Sequence, residues 1–351
     1  MDPNVLNLIQ GAAGGSEPYS GDIAVAHTSS PFVSVYPWSS GFGTKYSDPS
    51  TLPPNLGTGV AFSPDGADIA ISHYPNWSSP TSATVAAYPW SSGFGTKYAD
   101  PSSHPGSYSW AVAFSPDGAD IAVCTNDSPY INVWAWSSGF GTKYANPSTL
   151  PNGYSLGVTF SPDGADIVVA YGGSPYVTAY PWSSGFGTKY ADPSTPLPFG
   201  ANGVAFSPDG ADIAVAHSGS PYVSAYPWSP GFGTKYSDPS LLDLPTGNGY
   251  SVAFSPDGAD LAVAHWSSPY ISVYPWSSGF GTKYTDPSTT PTGNGNSVAF
   301  SPDGADLAVG HAGSPFVSVY PWSSGFGTKY ANPSTLTGGT GMGIAFSPAA
   351  A

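Results

Sequence analysis

Three features of the sequence predict an all-β fold made of seven similar units. The pentapeptide FGTKY recurs seven times, and successive copies are separated by 46 to 52 residues, with the lysines at Lys45, Lys97, Lys143, Lys189, Lys235, Lys283 and Lys329. Short segments such as DIAVAH alternate in polarity between turn signals such as PDG, and helical periodicity is absent. Aromatic residues make up 15% of the chain beside 44 glycines and 39 prolines, which suits a packed core joined by many turns.

One unit, read from Gly203, predicts four short antiparallel strands in order. GVAFS alternates and ends at PDG, a tight turn in which proline presets φ and glycine accepts a positive φ. DIAVAH alternates again and ends in a short SGSP loop. YVSAYPW forms a third strand, and Pro227 near its end implies an edge or a bulge. FGTKY forms a short fourth strand.

Seven such units, which follow one another with a period of about 48 residues, predict a seven-bladed β-propeller with four antiparallel strands per blade. Residues 345–351, AFSPAAA, begin a unit without continuing it, whereas SGDIAVAH from Ser20 continues a unit without beginning it. We therefore expect the C-terminal strand to complete the first blade and close the ring, so that removing residues 343–348 would open the fold. The predicted organisation is an extension at 1–19 and a propeller at 20–351.

The repeated VAFSPDG hairpin, followed by a second strand and then VSVYPW, resembles the WD40 and related repeat propellers. The resemblance covers residues 20–351 and implies the fold. Tyrosine, for example Tyr36, Tyr180, Tyr226, Tyr274 and Tyr320, stands where that family has the tryptophan of its WD pair. Proline stands where the family has aspartate, so no residues of the family's Asp–His network are carried over. The YPWSSGFGTKYSDPS unit is also similar to repeat proteins of aquatic phages and bacteria.

Composition excludes several classes of function. The net charge is −15 and arginine is absent, so the long-range field repels nucleic acid. The repeated lysines are expected to face the aspartates of the DP pairs just downstream. The longest apolar runs are too short to cross a bilayer, and the N-terminus lacks a basic secretion signal, so synthesis in the cytoplasm without a signal peptide is expected. Cys124 stands alone, which excludes an internal disulfide and a cysteine-based zinc site.

The candidate chemical motifs favour structural roles. Five histidines fill one equivalent position at the end of the second strand, where packing beneath a loop is expected rather than metal binding: His27, His73, His217, His265 and His311. Asp65 is assigned to the PDG turn and Asp68 to capping of the hairpin. Ser155 in GYSLG matches a nucleophile pattern but lacks the helix that the pattern requires. No catalytic residue, metal or cofactor is predicted.

Comparison of the seven units with one another predicts where a ligand would bind. The residue two positions before the valine of the first strand has six identities and is expected to ring the channel mouth: Thr58, Trp110, Leu156, Asn202, Tyr250, Asn296 and Met342. The loop after the second strand adds Tyr74, Trp77 and Trp266 on the same face, whereas the opposite face is nearly constant. Aromatic residues within a polar rim are typical of binding surfaces, although neutral drift of loops would also give variation.

The sequence alone favours a non-enzymatic recognition or assembly module. Its variable face would bind a protein or a glycan, and the N-terminal peptide MDPNVLNLIQ would attach it to a larger assembly such as a phage virion. Two alternatives stay open: an enzyme of hydrolase type with its site at the channel mouth, and an inert structural spacer.

Overall fold

The computed structural model describes residues 19–76, 82–104 and 107–349, in which strands form seven separate antiparallel sheets and no helix occurs. Each sheet has an inner strand next to the central channel. The inner strands are β3 (Gly57–Phe62), β6 (Ser109–Phe114), β10 (Ser155–Phe160), β13 (Ala201–Phe206), β16 (Gly249–Phe254), β19 (Gly295–Phe300) and β22 (Gly341–Phe346). Among these residues no segment could cross a membrane as a long apolar helix.

The middle strand of each sheet is buried on both faces. These strands are β1 (Gly21–His27), β4 (Asp68–His73), β7 (Asp120–Thr125), β11 (Asp166–Tyr171), β14 (Asp212–His217), β17 (Asp260–His265) and β20 (Asp306–His311). Their β-branched and small side chains pack against both neighbouring sheets, so each apolar cluster combines residues of two blades. The preceding PDG turn has its glycine at positive φ, as the sequence predicts, with Gly66 at 70°.

The outer strand of each sheet carries the YPW motif or its AW variant. These strands are β2 (Val33–Trp38), β5 (Val85–Pro89), β8 (Ile131–Trp136), β12 (Val177–Pro181), β15 (Val223–Pro227), β18 (Ile271–Pro275) and β21 (Val317–Pro321). The all-β class is therefore confirmed, and the seven sheets are arranged as in a seven-bladed propeller.

The prediction of four strands per blade is wrong for six of the seven blades, which have three. A fourth strand, β9 (Phe140–Lys143), pairs with β8 in one blade, and elsewhere the FGTK segment makes a single bridge between tryptophan and phenylalanine. The carbonyl of Pro37 accepts a hydrogen bond from Gly43 N at 2.8 Å, so that residue faces the fourth segment, but proline has no N–H to return. Ala135 takes the place of this proline in the blade that forms β9.

The two ends of the described chain meet in one sheet. β22 pairs antiparallel with β1, with Val25 opposite Ile344, and the inner strands neighbour one another in a closed cycle. Tyr19, placed by the sequence in the extension, is buried and donates its hydroxyl to the Ser347 carbonyl at 2.7 Å. The expected closure of the ring by the C-terminal strand is confirmed.

A repeated hydrogen bond joins each blade to the next. The indole of Trp136 donates to Asp68 Oδ2 at 2.9 Å, and the hydroxyl of Tyr98 donates to Asp68 Oδ1 at 2.7 Å. The same tryptophan-to-aspartate bond recurs between all seven blades. The prediction that Asp68 caps its hairpin is therefore wrong for the side chain, because its carboxylate reaches the neighbouring blade.

The lysines lie where the sequence predicts. Five of them form ion pairs with the aspartate three residues downstream, as Lys283 does with Asp286 at 2.7 Å, and two bond an asparagine at that place. All seven lysines are therefore held by a side chain of their own unit, five by an aspartate and two by an asparagine.

Candidate functional site

The two sets of variable positions lie side by side on one face. In every blade the first residue of the loop after the middle strand donates its backbone N–H to the carbonyl two residues before the variable inner-strand position. Tyr74 N donates to Leu56 O at 3.1 Å, two residues before Thr58, and Trp266 N donates to Asn248 O at 3.0 Å, two residues before Tyr250. The two sets of variable residues therefore lie next to each other on the face that carries the channel mouth.

A cavity of about 440 Å³ occupies the channel mouth and is bounded by all seven predicted inner-strand residues together with Trp266 and Tyr154. Below it the channel narrows to a space of about 180 Å³. At this level the next residue of each inner strand is small, so the strand backbones come close together: Gly59, Ala111, Gly157, Gly203, Ser251, Ser297 and Gly343. A side chain at Gly203 would bring its Cβ to 2.7 Å from the carbonyl oxygen of Tyr250. The small residues therefore let the inner strands approach, and the cavity has a narrow floor.

The wall of the cavity divides into two arcs. Met342, Thr58, Trp110 and Leu156 follow one another around the ring on β22, β3, β6 and β10. The hydroxyl of Thr58 is engaged by bonds to Ser72 Oγ at 3.0 Å and to the Ser109 carbonyl at 2.8 Å. The indole Nε1 of Trp110 is buried without a hydrogen-bond partner in the described part of the chain, so the surface that this arc presents to the cavity is apolar.

The second arc is polar and consists of Asn202, Tyr250 and Asn296 on β13, β16 and β19. Both asparagines donate Nδ2 to a main-chain carbonyl of the next blade, to Gly249 O at 2.7 Å and to Gly341 O at 2.9 Å. Neither Oδ1 has a hydrogen-bond partner among the described residues, so these two acceptors are left for a ligand.

Aromatic side chains extend the rim. The ring of Tyr74 packs edge-on against Trp110 at 5.4 Å, and Tyr250 lies 5.9 Å from Trp266, of which 52% is exposed. Tyr154 also lines the cavity, lying over Gly172 of the adjacent loop, and was not among the predicted site residues. The sequence signal for Tyr154 was an aromatic residue in the loop before an inner strand, two residues ahead of Leu156. The predicted Trp77 lies outside the described residues, as does the proposed docking peptide in 1–18.

No charged side chain lines the cavity. Burial raises the pKa of Tyr74 and of Tyr250 above the ordinary phenol value, so both are neutral at neutral pH. Within the three described stretches, no group of three or more histidine, cysteine or carboxylate side chains is placed to hold a metal ion. Chemistry in the cavity would rely on hydroxyl and amide groups.

The histidines are packing residues, as the sequence predicts. All five are buried, and four place Nε2 at 3.0 Å from a serine hydroxyl of the outer strand, as His217 does with Ser224. Desolvation lowers the pKa of each to about 4. Ser155 is buried at the start of β10 with no helix following, and Asp65 accepts from Ser63 and Ala67 within its turn, so neither joins the site.

No protein-family model and no curated protein matches the chain. Solved structures match its fold across most of its length. A putative 6-phosphogluconolactonase of Bacteroides uniformis aligns over 93% of this chain and 99% of its own, with a TM-score of 0.69 and 17% identity. A periplasmic gluconolactonase of Pseudomonas aeruginosa aligns over 94% and 99%, with a TM-score of 0.66 and 16% identity. A protein of Lactobacillus plantarum aligns over 93% and 99%, with a TM-score of 0.73 and 15% identity.

These likenesses show the propeller-type repeat fold, while the closer resemblance to WD40 repeats stays a prediction. The prediction of a non-enzymatic recognition or assembly module is contradicted by the comparisons, because proteins of the same fold over nearly their whole length are named as lactonases, which are hydrolases. The expectation that the chain is not an enzyme is corrected for the same reason.

Proposed function

We propose that the protein is a hydrolase of uncharged lactones, with its active site in the channel-mouth cavity. The observation that carries the proposal is the convergence of all seven variable inner-strand positions on one cavity of about 440 Å³. This volume suits a small molecule, and ligand cavities usually combine apolar walls with a few polar groups, as this one does. The lactonase names of proteins with the same fold support the choice of reaction.

The charge distribution favours an uncharged substrate over a phosphorylated one. A phosphate group needs basic side chains or clustered backbone N–H donors. Here the chain has no arginine, and each lysine bonds an aspartate or asparagine three residues downstream, away from the cavity. With a net charge of −15, a phosphorylated lactone would be repelled from the whole molecule.

The polar arc presents three groups in order around the ring: the Asn202 Oδ1 acceptor, the Tyr250 hydroxyl as a donor, and the Asn296 Oδ1 acceptor. We assign the Tyr250 hydroxyl to donate a hydrogen bond to the lactone carbonyl oxygen, which becomes negatively charged when water adds. The free Oδ1 of Asn202 or Asn296 accepts a hydrogen bond from the attacking water and orients it. Water oxygen bonds to the carbonyl carbon, the ring C–O bond breaks, and the proton lost by water ends on the released alkoxide, which gives a hydroxy acid.

The test compares hydrolysis of δ-valerolactone by the intact protein and by Tyr250→Phe, followed by release of acid at constant pH. If Tyr250 donates to the developing oxyanion, its loss should lower kcat/KM by about 100-fold or more. The matched control is Tyr176→Phe, which lies outside the cavity and copies the residue found at the same place in two other blades, Phe32 and Phe316. Equal rates in all three proteins, or no hydrolysis by the intact protein, would contradict the proposal.

A further inference from the structure

We infer that the natural substrate is an amphipathic lactone, a lactone ring carrying a hydrocarbon substituent, rather than a polyhydroxylated sugar lactone. This inference rests on the proposed function and concerns the substrate class of the same cavity. It follows from the separation of the wall into two continuous arcs, because a ligand polar on one side and apolar on the other satisfies both.

The apolar arc is continuous over four of the seven blades. Met342 and Leu156 stand at its ends, Trp110 lies between them, and the Thr58 hydroxyl is withheld from a ligand by its two internal bonds. Hydroxyl groups of a sugar lactone that faced this arc would lose their water without gaining a partner, which is costly. A hydrocarbon chain on the same side would instead lose unfavourable contact with water.

The polar arc offers few hydrogen-bonding groups to a ligand. Its three residues are confined to neighbouring blades, and both asparagine amides have Nδ2 engaged by main-chain carbonyls. The bond from Asn202 Nδ2 to Ser218 Oγ at 3.2 Å fixes this amide further. The arc therefore offers two acceptors and one hydroxyl, which suit one ester group and one water.

Aromatic contacts continue the apolar arc outward. Tyr74 packs on Trp110 and on Tyr108, with ring centroids 5.4 Å and 4.5 Å apart, so a chain that leaves the cavity between Thr58 and Leu156 meets an aromatic surface. A substituent of several methylene groups would therefore stay in apolar contact beyond the cavity wall.

The test measures binding, by calorimetry, of lactams that keep the ring carbonyl but resist hydrolysis. The probes are δ-valerolactam, the same ring with a 6-pentyl chain, and gluconolactam. Half-burial of the five carbons of the pentyl group predicts about 30-fold tighter binding of the pentyl compound than of the bare ring. Gluconolactam should bind no tighter than the bare ring.

Two variants of the cavity wall test where the pentyl group binds. Leu156→Asn and Met342→Asn should each remove most of the gain given by the pentyl group, whereas Leu150→Asn, on a leucine of the same unit that is 37% exposed and outside the cavity, should retain it. Equal affinity for the three lactams, tightest binding of gluconolactam, no binding at all, or an unchanged gain in both cavity variants would overturn the inference. Because binding needs no turnover, a preserved chain preference without hydrolysis of any lactone would overturn the catalytic proposal and leave the cavity as a binding site for amphipathic ring amides and esters. Hydrolysis without a chain preference would overturn only the present inference.

Discussion

Replacing Asp212 by alanine removes a carboxylate that accepts two hydrogen bonds, one of them from the tryptophan of the neighbouring blade. The Asp212 side chain is 6% exposed and accepts from the Trp276 indole at 2.9 Å and from the Tyr236 hydroxyl at 2.7 Å. A buried donor left without a partner costs about 1–3 kcal/mol, and two such donors, partly rescued by entering water, predict a loss of about 2–4 kcal/mol in the free energy of unfolding.

The assay is urea unfolding at pH 7, followed by tryptophan fluorescence and far-ultraviolet circular dichroism together. Asp238→Ala provides the control, since it removes the same charge from the same unit but breaks an exposed ion pair with Lys235, which is worth about 1 kcal/mol or less. Equal losses in the two variants would refute the account of the aspartate as the joint between blades.

Three further predictions concern pH, ring closure and strand formation. The histidine pKa values of about 4 lie below the unfolded value, so the unfolded chain binds more protons, and the free energy of unfolding should fall by about 1–2 kcal/mol per histidine between pH 7 and pH 5. His217→Thr copies the threonine found at that place in another blade. In urea titrations its free energy of unfolding should fall less between pH 7 and pH 5 than that of the intact protein, and an equal fall would contradict this. Ending the chain before Gly343 removes the partner of β1 and should abolish cooperative thermal unfolding, whereas deleting Ala350 and Ala351 should not. Pro181→Ala restores an N–H towards the fourth segment and should slow hydrogen exchange there, while persistent fast exchange would show that proline is not what prevents the strand.

Repetition made most of the fold predictable from the sequence. The unit length, the PDG turn and the incomplete units at the two ends are local patterns, and each led to the correct sheet, turn or closure. The fourth strand was predicted wrongly because FGTKY has strand-like residues, whereas the outcome depends on a proline in the strand beside it. Ala135 marks the one blade in which the strand forms, and this exception was visible in the sequence.

The contacts between blades were harder to predict. Asp68 lies beside its own turn in the sequence, and its partner Trp136 is in the next unit. Only the joint repetition of an aspartate and a tryptophan at every unit hinted that the two are connected. The seven inner-strand positions that vary among the units all line the channel-mouth cavity. Variation alone did not reveal the apolar and polar arcs, because the order of these residues around the ring becomes meaningful only once the ring is closed.

The central claim is that the channel-mouth cavity holds the substrate. A crystal structure with the 6-pentyl lactam bound tests it most directly. We expect density for the ring carbonyl within hydrogen-bond distance of the Tyr250 hydroxyl and for the pentyl chain against Leu156 and Met342. Density outside the channel-mouth cavity, or a pentyl chain directed towards Asn202 and Asn296, would contradict this claim.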